Sequence, residues 1–206
     1  MKKIISWNLL RLTGASVEEI AGLVARERPD LLLMQEATDA IDRLPDRIGG
    51  YYTRFPQPWR IHGLAMWMPE PPPTTPTILA IPRGAMFDRV SQIVDLGDFT
   101  VAKVHLSHGP LLNRRQLRRI AQVLPPHAAV MGDFNLVGPC LLPGFRDVGP
   151  RRATHVAGDI VPLRIDRCLA RGLRCSATQT LPQASSDHRP ILVRLEAVRD
   201  TLRAAA

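Results

Sequence analysis

An α/β or α+β domain is predicted for this 206-residue chain, and three observations predict it. Short apolar runs bounded by turn residues recur along its whole length, the pattern of buried strands. Two segments carry apolar residues at helical spacing instead. No apolar run has the length that a signal sequence or a membrane-crossing helix needs. Many strands with few interspersed helices make an α/β or α+β fold. The chain is 45% hydrophobic and 22% charged, an ordinary composition for a folded globular protein, and its length suits one domain over residues 1–206.

The first strand is Lys3–Trp7, an apolar run cut short by Asn8. A helix follows from Ser16 to Arg28. Ser16 with Glu19 three residues on is a capping box, Val17, Ile20, Ala21 and Val24 share one face, and Pro29 stops the helix. Leu31–Met34, Tyr51–Phe55 and Leu64–Met68 read as strands. Pro69–Pro76 holds five prolines and is a loop. Arg89–Asp95 and Phe99–Leu106 flank Leu96-Gly97-Asp98 as a hairpin. Leu112–Leu124 is a helix with Leu117, Ile120, Ala121 and Leu124 inward and Arg114, Arg115, Arg118 and Arg119 outward. Strands at Ala128–Met131, Arg164–Ala170, Arg174–Thr180 and Pro190–Leu195 complete the pattern, and Ala204–Ala206 is expected to fray.

The net charge is +8, and 24 of the 27 basic residues are arginine. Such a surface suits a polyanion, either nucleic acid or an anionic lipid face. Cys140, Cys168 and Cys175 form no CxxC pair; an odd, scattered set reads as reduced thiols in a cytoplasmic protein.

The chemistry sits at the ends of the apolar runs. Ile4-Ile5-Ser6-Trp7 ends in Asn8, Leu31–Met34 in Gln35-Glu36, and Val101–Val104 in His105. Ala128–Met131 leads into Gly132-Asp133-Phe134-Asn135, and Asp187-His188 precede the last strand. Strand ends let a rigid scaffold present side chains to a common cleft. Glu36, Asp133 and Asp187 are hard oxygen donors, joined by the amide oxygens of Asn8 and Asn135; such a set suits Mg²⁺ or Mn²⁺ and a phosphate. Asp133 and Asn135 are two apart, so an extended segment would point both the same way. His105 and His188 offer proton chemistry near neutral pH, and Asp166 is a candidate for fixing a histidine tautomer. His62, His108, His127 and His155 are read as ordinary core or surface residues.

The segments Ser6-Trp7-Asn8, Gln35-Glu36, Val104-His105-Leu106, Gly132-Asp133-Phe134-Asn135, Arg164-Ile165-Asp166-Arg167 and Ser186-Asp187-His188-Arg189-Pro190 resemble the endonuclease/exonuclease/phosphatase superfamily, in that family's order and from Ile4 to about Leu195. The resemblance implies a four-layer α/β sandwich, two packed mixed β-sheets flanked by helices, and Mg²⁺-dependent (or Mn²⁺-dependent) phosphoester hydrolysis. It implies Glu36 as principal metal ligand with Asn8 beside it, and Asp187 as a further or second-site ligand. Asp133 would orient or activate the attacking water, or bind metal. Asn135 would hold the scissile phosphate. His188, oriented by Asp166, would act as general base or stabilise the phosphorane, and His105 would contact the phosphate or act as general acid. Arg114 or Arg115, with Gln116, resembles a family helix that supports the site, and both arginines are candidates for a substrate phosphate.

The nucleic-acid repair branch of the superfamily typically has a tyrosine where this chain has His105. Histidine resembles the pancreatic-type deoxyribonucleases and sphingomyelinase-type phospholipases. With 5% aromatic residues there is no stacking series for single strands, and no lipid-inserting hairpin is evident. The expected substrate is a phosphodiester, with DNA or RNA ahead of a phospholipid or small phosphoester. The competing class is a catalytically inactive, basic nucleic-acid-binding protein on the same scaffold. Such a protein would lose a metal carboxylate or the terminal histidine, and both are present.

Overall fold

A computed structural model describes residues 1–57, 59–84, 88–158 and 160–198; Ala204–Ala206 lie outside them. In chain order the elements are β1 (Lys2–Asn8), α1 (Val17–Glu27), β2 (Leu31–Thr38), a 3-10 turn (Asp39–Arg43), α2 (Leu44–Ile48), β3 (Tyr51–Pro56), β4 (His62–Met68) and β5 (Thr77–Ala80). They continue with β6 (Val90–Asp95), β7 (Thr100–His105), α3 (Pro110–Val123), β8 (Ala128–Asp133), β9 (Arg146–Asp147), β10 (His155–Ala157), β11 (Val161–Leu163), β12 (Asp166–Arg171), β13 (Leu173–Thr180) and β14 (Ile191–Ala197).

Two mixed sheets form, in the orders β13-β14-β1-β2-β4-β3 and β5-β6-β7-β8-β12-β9, with β10-β11 as a separate ribbon. Each sheet has one parallel pair at its centre. β1 and β2 are joined over α1, and β7 and β8 over α3. Parallel neighbours need such a crossover, and both strands of a pair then finish at the same edge. Asn8 is therefore level with Gln35, and His105 with Asp133.

Alternation along the strands builds the layers. Ile4, Leu31, Leu33, Val101, Ala129 and Met131 turn inward and meet between the sheets. Ile5, Leu32 and Met34 turn outward under Ile20, Leu23 and Val24 of α1. Ala102, Val104 and Val130 turn outward under Leu117 and Ile120 of α3. The result is helix, sheet, sheet, helix, the sandwich the resemblance implies. The inner layer includes fully buried Lys103, whose ammonium donates to the Ala65 carbonyl across the interface.

Three features depart from the sequence expectations. β2 continues four residues past Met34, because a bulge between Met34 and Ala37 lets the strand resume on β4. The 3-10 turn and α2 were not foreseen; each is five residues, too short for a periodic signal. β5 and β9–β11 are short and have no buried residue, so they carry little hydrophobic alternation. Among the described residues, no helix is long and apolar enough to cross a membrane.

Candidate active site

The matching ends of the two parallel pairs face each other across a cleft of about 330 Å³. From the first pair come Asn8 and Glu36. Glu36 lies in the bulge with φ 58°, a left-handed conformation that L-residues adopt only when the surroundings impose it. Its Oε2 accepts hydrogen bonds from the backbone N of Arg11 (3.2 Å) and from Arg11 Nη1 (3.1 Å). Asn8 at the end of β1 accepts from Leu10 N through Oδ1 (3.2 Å) and donates through Nδ2 to Asp133 Oδ2 (3.0 Å), joining the two halves.

From the second pair come His105 and Asp133. Gly132 makes their approach possible: its φ is 145°, and a Cβ there would stand 2.0 Å from the Val104 carbonyl oxygen. His105 Nε2 lies 3.4 Å from Asp133 Oδ2 and 3.9 Å from Glu36 Oε1. Asn135 does not continue an extended segment. With φ 47° it turns back, its N–H donating to Asp133 Oδ1 (2.8 Å) and its Nδ2 to the Leu106 carbonyl (2.9 Å). The Asp–x–Asn spacing therefore forms a side-chain-closed turn and not a shared strand face.

The third group arrives from β12 and the β13–β14 loop. Asp166 opens β12 opposite Asp133, and its Oδ2 is 2.8 Å from His188 Nδ1. The loop is fastened to β1. Ser186 Oγ donates to the Asn8 carbonyl (2.7 Å) and accepts from His188 N (3.1 Å), while Trp7 Nε1 donates to the His188 carbonyl (2.9 Å). His188 Nε2 then faces Asp133 Oδ2 at 3.9 Å.

Burial and charge set the protonation of this cluster. Burial, and then the charge of Asp166, push the Asp133 carboxyl up to about 7. Burial works against a charged His188, but the charge and hydrogen bond of Asp166, with Asp133 and Asp187, outweigh it and raise His188 to about 9. Burial, then Arg89, push His105 well below its usual value, so it is neutral.

The sequence-predicted residues Asn8, Glu36, His105, Asp133, Asn135, Asp187 and His188 all line this cleft, with Asp166 directly behind His188. Arg114 and Arg115 do not; both are exposed on α3. The neighbouring amides are the useful part of that helix. Gln116 Oε1 accepts from Ser107 N (3.0 Å), and Asn113 Nδ2 donates to the Phe134 carbonyl. Sequence reasoning missed Arg11, Arg60 and Arg89, and it placed His62, His108 and His155 among ordinary residues although they line the cleft. His62 begins β4 and Arg89 immediately precedes β6, so searching strand starts as well as strand ends would have found them. A roomier cavity of about 850 Å³ under the Val137–Phe145 loop holds none of the converging acid–base groups, so the smaller cleft is the candidate site.

The donors fit a hard divalent cation. Glu36 and Asp187 bring carboxylates to the cleft, Asn8 lies beside them with its Oδ1 accepting from Leu10 N, and Asp187 Oδ1 is buried with no hydrogen-bond partner.

Solved structures share this architecture. Truncated Caenorhabditis elegans TDP2 is 18% identical, with 95% of this chain and 97% of that one covered and a TM-score of 0.71. D. rerio TDP2 complexed with single strand DNA product is 16% identical over 95% and 99%, with a TM-score of 0.77. The human Nocturnin catalytic domain with bound sulfate anion is 16% identical over 96% and 93%, with a TM-score of 0.71. At such identities the likeness is one of fold. No curated protein matches by sequence. The family model described as "Endonuclease/Exonuclease/phosphatase family" matches residues 5–188, a family whose members are generally hydrolases using divalent metals. This chain belongs to the endonuclease/exonuclease/phosphatase family.

Proposed function

We propose that the chain is a Mg²⁺- or Mn²⁺-dependent phosphodiesterase acting on DNA or RNA. One observation carries the reading: the oxygen donors Glu36, Asn8 and Asp187 share a cleft with the acid–base group Asp133, His105 and His188–Asp166. A bound divalent ion there neutralises phosphate charge and acidifies coordinated water.

The chain's own residues supply the rest. Asp133, with a carboxyl near 7, is matched to taking a proton from the attacking water at neutral pH. His188 is held as an imidazolium by Asp166 and stabilises negative charge growing on the phosphoryl oxygens. Asn135 keeps one amide hydrogen beyond its bond to Leu106 and gives it to the phosphate. Neutral His105 donates through Nε2 to a phosphate oxygen. Arg11, Arg60 and Arg89 line the same cleft, which suits a polyanion. The single-strand DNA product held by D. rerio TDP2 supports a nucleic-acid substrate on this shared fold. Three free cysteines support a cytoplasmic location.

One observation favours a second reading, a phospholipid phosphodiester. Exposed apolar Leu12, Trp59 and Ile61 adjoin the cleft-lining Arg11, Arg60 and His62 in the chain. Exposed apolar side chains beside arginines suit a bilayer surface. The test is a metal-dependent panel of plasmid DNA, abasic duplex, RNA, sphingomyelin, phosphoinositide and bis-p-nitrophenyl phosphate, with and without chelator. Chelator-sensitive cleavage of DNA or RNA is expected. Cleavage confined to vesicle lipids would replace the first reading with the second, and no turnover in any arm would leave only a binding protein.

A further inference from the structure

One flank of the cleft carries a ligand group of a different chemical kind from Glu36 and its oxygen neighbours. His155, Asp187 and His188 offer ligand atoms that all lie within 4.8 Å of one another, a set of three found once among the described residues. Backbone pairing assembles them. His155 bridges antiparallel to His188, Val156 N donates to the Asp187 carbonyl (3.4 Å), and Arg189 N donates to the Thr154 carbonyl (2.7 Å). The two imidazoles lie 4.4 Å apart between centroids.

The atoms that would face an ion are the ones left over. His155 Nδ1 and Asp187 Oδ1 are buried with no hydrogen-bond partner. His155 Nδ1 stands 3.6 Å from Asp187 Oδ2, too far for a hydrogen bond. His188 commits Nδ1 to Asp166, which leaves Nε2 as its ligand atom once the entering ion displaces the Nε2 proton to solvent, the carboxylate–histidine arrangement that orients metal-binding imidazoles. The Asp187 side chain is 34% exposed, so an ion has a path in from the cleft.

We infer that His155, Asp187 and His188 form a binding site for a borderline transition-metal ion such as Zn²⁺, one that borrows Asp187 from the cleft's oxygen donors but does not need Glu36, and that filling it switches the cleft off. Two imidazole nitrogens and one carboxylate select zinc-like ions over Mg²⁺. Three protein ligands with an open fourth position are a common zinc arrangement. The inhibitory part rests on the phosphodiesterase reading, because an ion on His188 Nε2 takes the nitrogen that reading assigns to the phosphate. The binding part does not.

Isothermal titration of metal-free protein with ZnCl₂ tests the binding part, on wild type, His155→Phe and Glu36→Gln. Phenylalanine keeps a ring against His188 and removes the nitrogen; His155→Gln serves if that variant melts abnormally by circular dichroism. Wild type and Glu36→Gln bind Zn²⁺ equally well, and the His155 variants bind it at least about 100-fold more weakly, the upper end of the loss from removing even an outer partner of a metal ligand. Co²⁺ gives the strong visible absorption of a low-coordinate histidine site in wild type, and that absorption disappears in the His155 variants. Equal Zn²⁺ affinity in wild type and His155→Phe, or loss of binding in Glu36→Gln, overturns the site. In a Mg²⁺-driven assay on bis-p-nitrophenyl phosphate, added Zn²⁺ stops wild type and spares His155→Phe; inhibition of both overturns the switch. Zn²⁺ binding through His155 in a protein with no turnover would support the site while defeating the phosphodiesterase reading.

Discussion

The same parallel crossover unit occurs twice, and its two copies hold their chemistry by different means. In β1–α1–β2 the helix is closed locally. Ser16 and Glu19 form a complete capping box, Arg28 ends the helix in a left-handed cap, and the buried face is Ile20, Leu23 and Val24. The candidate-site geometry of that half comes from the strand, where the bulge holds Glu36 in a left-handed conformation. In β7–α3–β8 the helix starts at Gly109 and Pro110 with no side-chain cap. Its buried face includes Asn113 and Gln116, which grip the Phe134 carbonyl and Ser107, next to Asn135 and close after His105. The first helix is scaffold, and the second is part of what positions the site.

Glycine substitutions separate the halves most sharply. Gly132→Ala puts a Cβ against the Val104 carbonyl at a positive φ, so it should cost about 3 kcal/mol or more in denaturant unfolding, with no soluble protein as the extreme outcome. A small effect there would mean β7 and β8 approach each other less closely than described. Next, Asn113→Ala orphans the Phe134 carbonyl. Stability should fall by about 1–3 kcal/mol, and turnover should fall with it as the Asn135 turn loosens. Unchanged turnover would break the claim that α3 positions the site.

The Asp166–His188–Asp133 cluster predicts a pH effect of middle size. His188 rises from 6.5 to about 9 on folding and Asp133 from 3.8 to about 7. The folded state therefore holds more protons than the unfolded one. The stability that His188 contributes is complete below about 6.5 and is lost as pH rises through about 9. Metal-free protein should melt lower at each step through that window, and Asp166→Asn should flatten the decline. A melting temperature that climbs with pH in wild type would contradict the assignment.

The smallest effects belong to α1. Ser16→Ala should cost about 1 kcal/mol of stability with turnover unchanged, since Glu19 keeps its bonds to Ser185. Gly22, exposed and with nothing within 4 Å of an added Cβ, should accept alanine with a gain of about 0.5–1 kcal/mol. Chemical denaturation reads both. A turnover loss in either variant would give α1 the positioning role now assigned to α3.

Much of this was legible in the residues. The capping box at Ser16–Glu19, the β6–β7 hairpin at Gly97 and the strand-end rule for Asn8, His105 and Asp133 all follow from local chemistry, and the structure has them. What escaped was set by tertiary packing. Lys103 counts as a surface residue on composition, yet it lies fully buried between the sheets, a placement that depends on reaching the Ala65 carbonyl on the opposite sheet. Asn135 was expected on a strand face, and the fold turns it back onto Asp133. His155 reaches the cleft from a three-residue strand that no local pattern marks. Arg114 and Arg115 drew notice as charges, while the working side chains of α3 are the buried amides beside them.

The central claim is that the two halves meet in one metal-and-phosphate site, and kinetics on purified protein tests it most directly. Initial rates on bis-p-nitrophenyl phosphate should be measured against Mg²⁺ for wild type, Glu36→Ala, His188→Ala and the double variant. Wild type should turn over only with metal. Each single variant should lose about 10²-fold or more, and the double should be little worse than the poorer single, as for groups that act as a unit. Wild-type-like rates in Glu36→Ala or His188→Ala, or Mg²⁺-independent turnover, would contradict it.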